Sequence, residues 1–213
     1  MTAPGGGPAG ANAGRLLFVA AWLASGCGAP RPEAAGDLSG VVLPAAIPRP
    51  DFSLTRVDGS PFDFQAQTRG RLTLVFFGYT NCPDVCPATM ASLGGAVSRM
   101  VPEDRRRIDL VFVTTDPERD TPDHLARWLA NFDPDIIGLT GSIEALESAQ
   151  RAAGVTVAIR DTGGGSYAVA HAARVQVYSP DDSNHVIYPA NTRQANWGAD
   201  LPKLLARWPG AAR

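Results

Sequence analysis

Apolar and polar positions change their period several times along this chain, and each change marks an element. Asp51-Phe52-Ser53-Leu54-Thr55 alternates like a strand with one buried face, and Asp58-Gly59 is a hairpin turn signal. Leu72-Thr73-Leu74-Val75-Phe76-Phe77 is an almost unbroken apolar run rich in β-branched and aromatic residues, the pattern of a strand buried on both faces. Met90, Leu93, Val97 and Met100 then keep helical spacing and predict a helix from about Pro87 to Val101. Asp109-Leu110-Val111-Phe112-Val113-Thr114 is a second buried strand. Thr121-Pro122-Asp123 opens a helix to about Phe132, with Thr121 as N-cap and Pro122 at the first helical position. Ile136–Leu139 predicts a short strand and Ser142–Ala153 a helix with Ser142 as its cap. Val155–Ile159 and Arg174–Tyr178 read as strands, and His185–Tyr188 as a hairpin partner across Ser179-Pro180-Asp181-Asp182. A last helix covers about Trp197 to Trp208. Strands alternating with helices, then a terminal hairpin and helix, predict one α/β domain: a mixed central sheet flanked by helices, with an added β-hairpin.

The chemistry is concentrated after the first buried strand, in Gly78-Tyr79-Thr80-Asn81-Cys82-Pro83-Asp84-Val85-Cys86-Pro87. Two of the chain's three cysteines lie here, at the C-terminal end of a central strand where open α/β folds place their sites. A dithiol in that position makes a thioredoxin-like arrangement the leading fold. A helix beginning at Cys86 or Pro87 lowers a nearby thiol pKa through its unpaired N–H groups, whereas the acidic Asp84 opposes thiolate formation and favours a cation. The wider spacing still permits a disulfide. It also lets both sulfurs embrace a soft ion. Two thiolates suit Cu(I), and one histidine completes a three-coordinate site. Zinc prefers four ligands, and there is no second cysteine pair, so copper ranks above zinc. Of the three histidines, His171 lies in a β-rich stretch, His124 falls in the first turn of a helix with a solvated or capping role, and His185 reads as surface.

Composition narrows the setting. A net charge of −2 gives no reason to expect nucleic acid, and 213 residues bury a core without disulfide scaffolding. Residues 1–14 carry no charged side chain, Arg15 is positive, and Leu16–Ala24 is apolar but far short of the ~20 residues that span a bilayer. Small residues followed by Cys27 end this segment, as in a bacterial lipoprotein signal with Cys27 as the lipidated residue. An ordinary export signal and an uncleaved anchor are the alternatives, and all three put the body outside the cytoplasm. Residues 28–50, with Pro30, Pro32, Pro44, Pro48 and Pro50 and no aromatic, read as a tether, so the domain is expected over 51–213.

Phe76-Phe77-Gly78-Tyr79-Thr80-Asn81-Cys82-Pro83-Asp84-Val85-Cys86-Pro87 resembles the signature of the Sco/SenC copper chaperones of cytochrome c oxidase assembly. Thr115-Asp116-Pro117-Glu118-Arg119-Asp120-Thr121-Pro122 resembles that family's second motif. Tyr167-Ala168-Val169-Ala170-His171 resembles its third, here with Ala170 and Ala172 beside the histidine. The resemblance covers about residues 50–208. It implies a thioredoxin-like fold and copper held by Cys82, Cys86 and His171. It implies copper delivery to, or reduction of, the cysteines of the dinuclear copper site of an oxidase subunit. Other copper chaperones and thioredoxin-like reductants are the further partners that fit, with the membrane reached through Cys27.

A second function class stays open. Cys82 and Cys86 are equally a redox dithiol, and the chain a thiol–disulfide oxidoreductase in which Cys82 attacks and Cys86 resolves. Several residues have plainer readings. Met90 at helical spacing with Leu93 is core, Asp120 and Thr121 are a turn and a cap, and Arg105-Arg106-Arg107 is a solvated loop.

Overall fold

The long apolar runs become the centre of an eight-stranded mixed sheet. The computed structural model describes residues 37–160, 169–170 and 173–209, with Arg160, Val169 and Ala170 described by backbone alone. Its strands are β1 (Val41–Pro48), β2 (Ser53–Arg56), β3 (Pro61–Asp63), β4 (Leu72–Gly78), β5 (Ile108–Thr114), β6 (Ile137–Thr140), β7 (Ile159–Arg160), β8 (Val169–Ala170), β9 (Arg174–Tyr178) and β10 (Ser183–Pro189). Its helices are α1 (Phe64–Thr68), α2 (Val85–Val97), α3 (Pro102–Arg105), α4 (Pro122–Leu129), α5 (Ile143–Ala152) and α6 (Gln194–Arg207). The sheet order is β1-β10-β9-β4-β5-β6-β2-β3, and β7 pairs with β8 in a separate ribbon. Only β4–β5 and β5–β6 are parallel; the remaining pairs are antiparallel.

Strand β4 is buried along its whole length, as a strand covered on both faces must be. Its period of two splits the core. Leu72, Leu74 and Phe76 join Met90, Leu93, Leu125, Trp197 and Leu201 on one face. Val75 and Phe77 join Val111, Val113, Phe64 and Leu146 on the other. Thr121 and Ser142 accept from the amides of His124 and Ala145, capping α4 and α5 as predicted.

Two expectations change. The sheet takes in part of the stretch expected as tether. Val41–Pro48 pairs with β10, and Arg49 behind it is only 3 % exposed. The Arg49 guanidinium donates to Asp182 Oδ1 (3.0 Å), to the hydroxyls of Thr68 (2.8 Å) and Thr73 (2.9 Å), and to the carbonyls of Arg71 (2.9 Å) and Ser179 (3.0 Å). Proline-rich composition hid this strand, because prolines are tolerated at a sheet edge and β1 is an edge. Conversely, residues 155–158 form no strand. The amides of Val155 and Ala158 donate to the carbonyl (2.8 Å) and side-chain oxygen (2.7 Å) of Gln150, which takes the place of a neighbouring strand.

His185 is half-buried rather than a surface residue. Its ring stacks on Trp208 at 4.4 Å and 3°, and Nε2 meets Asp181 Oδ2 at 2.7 Å. Within 105–107, Arg105 pairs with Asp133 and Asp135, and Arg107 with Asp104. Met90 is core.

Candidate functional site

The parallel strands β4 and β5 end side by side, with Gly78 opposite Thr114. The turn leaving β4 carries the dithiol, and the turn leaving β5 lies against it. Helix α2 starts at Val85, one or two residues earlier than the prolines suggest. Pro87 is tolerated there because the first amides of a helix have no intrahelical acceptor. The preceding Asp84 makes no side-chain cap. Sulfur substitutes for it: the Cys86 N–H donates to Cys82 Sγ at 3.4 Å.

The two thiols are chemically unequal. Cys82 is half-buried and Cys86 fully buried, and both are in the thiol form. Burial alone would raise the Cys82 pKa, but the amides of Cys86, Asp84 and Val85 together hold it below the ordinary value. Burial drives the Cys86 pKa well above the ordinary value, only partly offset by the Tyr79 amide. Asp84 thus assists the Cys82 thiolate through its backbone N–H, a contribution invisible in its acidic side chain. Gly78 makes room for the buried sulfur. A Cβ there would lie 3.0 Å from Cys86 Sγ and 2.8 Å from Phe76 Cε1.

The β5–α4 turn supplies what the sequence reading missed. Asp120 is completely buried and accepts from the Thr80 N–H (3.1 and 3.3 Å), the Thr80 hydroxyl (2.5 Å) and the Thr114 hydroxyl (2.6 Å). Burial raises its pKa, opposed by these donors. Asp116 is equally buried and ion-paired with Arg119, whose guanidinium carbon lies 5.7 Å from the Tyr79 ring centroid. His124, exposed at the start of α4, places Nε2 2.9 Å from the Thr80 hydroxyl. The available signal was two acids and a threonine pair at the C-terminal end of the strand beside the dithiol strand.

His171 follows β8 directly in sequence but lies outside the described residues, as do Cys27 and the segment 1–27. Among the described residues, no group of three or more His, Cys, Asp or Glu is placed to hold a metal. The dithiol by itself is a soft, two-sulfur donor set that fits Cu(I) and lacks the four donors of a zinc site.

The SCO1/SenC family model matches residues 43–206. The chain belongs to the SCO1/SenC family. A Stutzerimonas stutzeri relative named for copper binding is 33% identical over 143 residues, 67% of this chain and 70% of that protein. The mitochondrial SCO1 homolog 1 of Arabidopsis thaliana is 34% identical over 137 residues, 64% of this chain, and the chain spans only 40% of that protein's length. Among solved structures, apo Sco1 from Thermus thermophilus matches with a TM-score of 0.72 and 34% identity, over 81% of this chain and 100% of that one. Copper-bound ScoI from Bradyrhizobium japonicum matches with a TM-score of 0.66 and 31% identity, over 75% and 100%. The fold is therefore thioredoxin-like, as the dithiol position and the motifs led one to expect. The match begins inside β1, in agreement with the sheet.

Proposed function

We propose that this SCO1/SenC protein is an extracytoplasmic, membrane-tethered copper chaperone. It carries Cu(I) as cargo on Cys82, Cys86 and His171 and delivers it to the dinuclear copper site of cytochrome c oxidase, or reduces the cysteines of that site. The observation that carries this reading is a reduced cysteine pair at the start of α2, one sulfur stabilised by helix amides, in a chain 31% identical to a copper-bound ScoI. Soft sulfur ligands select Cu(I), and a neutral imidazole completes three-coordination. Residues 1–27 serve as a lipoprotein-type signal ending at Cys27, followed by a tether. The copper-bearing oxidase subunit is the partner, with other copper chaperones or thioredoxin-like reductants upstream. Among the described residues no helix is long and apolar enough to cross a membrane.

Titration of the reduced protein with Cu(I) against a competing chelator tests the reading. One equivalent is retained by the wild type, and Cys82→Ser or Cys86→Ser loses it. A reduced wild type that does not compete eliminates the copper role.

The inequality of the two thiols favours a second reading, thiol–disulfide exchange with an extracytoplasmic protein. Cys82 attacks the partner's disulfide as thiolate, and Cys86 then closes on Cys82 and releases the partner's second thiol. The two roles are compatible, because a copper acceptor must present reduced cysteines.

A further inference from the structure

Three consecutive residues of the dithiol turn are each held from the turn after β5. The Gly78 carbonyl accepts from the Thr115 N–H (2.7 Å) and hydroxyl (3.2 Å). The Tyr79 ring lies against Arg119. Thr80 gives both its donors to Asp120. The Cys82 N–H then closes the turn on the Tyr79 carbonyl at 3.3 Å. We propose that Asp120 is a positioning residue for the dithiol: by gripping Thr80 it fixes the turn that sets the Cys82 sulfur over the first amides of α2.

Helix capping does not account for this carboxyl. Thr121 already caps α4, and the Asp120 side chain points instead to Thr80 and Thr114. Burying a carboxyl is costly unless its oxygens are hydrogen-bonded. Here two of the three donor groups belong to the residue two positions before Cys82. The Asp120 amide is itself fixed on the Asp116 carbonyl at 2.9 Å, and His124 covers the Thr80 hydroxyl from the outside. The grip is thus rigid on the β5 side and acts on a short turn with one consequence, the place of a sulfur. Loosening it moves the Cys82 sulfur away from the Cys86 N–H, 3.4 Å from it, whose hydrogen bond favours the reduced form.

This inference rests on the dithiol being the working site, so its test is read without copper. The purified chain is equilibrated with glutathione at pH 7, where two protein thiols give up two electrons and two protons as glutathione disulfide becomes two glutathione thiols. Asp120→Ala and Thr80→Val each shift the equilibrium constant at least fivefold toward the protein disulfide, and Thr80→Ser restores the wild-type value. Losing the Asp120 charge alone would favour the thiolate and move the constant the other way. Direction therefore separates positioning from simple electrostatics, and Thr80→Val changes no charge. Ser142→Ala, which removes the distant α5 cap, lowers the melting temperature without moving the constant. If the Asp120 and Thr80 variants move it no further than Ser142→Ala does, or move it toward the dithiol, the inference is overturned. Failure of copper binding in the wild type sinks the copper reading alone.

Discussion

The backbone N–H of Cys86 points at the sulfur of Cys82, 3.4 Å away, so one cysteine of the pair supports the thiolate of the other. Differential alkylation reports this directly. Cys82 titrates below the ordinary cysteine value, so at pH 8 it holds more thiolate than a free cysteine. Cys86 titrates above it and stays protonated from pH 7 to 9. Iodoacetamide is expected to modify Cys82 first, with the midpoint of its pH–rate curve below that of a free cysteine, while Cys86 in the folded protein stays unmodified. Peptide mapping over a pH series checks the order; equal labelling of both sites would contradict it.

Gly78 tests how tightly the buried sulfur is housed. In Gly78→Ala the new methyl meets Phe76, Phe112 and Cys86 Sγ at 2.8–3.2 Å, and none of the three is at the surface. Overpacking of this kind costs about 1–3 kcal/mol. Urea unfolding of the reduced protein is expected to show that loss, together with faster labelling of Cys86.

Arg49 is the anchor that joins β1 and its flanking chain to the rest of the sheet. Arg49→Ala strips donors from two carbonyls, two hydroxyls and Asp182 at once, a loss of about 3 kcal/mol. Asp182 limits the damage because its side chain is 37% exposed and rehydrates. Arg49→Lys recovers only part, since one ammonium cannot reach acceptors spread across a planar fork. Denaturant titration measures both variants; wild-type stability in Arg49→Ala would show that the cluster is ornamental.

His171→Ala separates the two proposed activities. Copper retention is expected to fall at least tenfold in chelator competition, with exchange against a model disulfide within twofold of wild type. Collapse of exchange with copper binding intact would reverse the ranking of chaperone over oxidoreductase.

Much of the fold and half of the candidate site are legible in the order of residues. The unbroken runs of β4 and β5, the helical spacing of Met90, Leu93 and Val97, and the caps Thr121 and Ser142 encode their elements locally, because burial and capping act over a few residues. The dithiol is legible for the same reason: both sulfurs sit within one turn. Tertiary structure alone decided the rest. Arg49 becomes a buried clamp only when Thr68, Thr73, Ser179 and Asp182 arrive from distant parts of the chain. Asp120 looks like a turn acid until the parallel pairing of β4 with β5 carries it under Thr80, forty positions away in sequence. Spacing along the chain determined which side chains hold the chemistry; the register between strands, which no local pattern encodes, decided what holds those side chains in place.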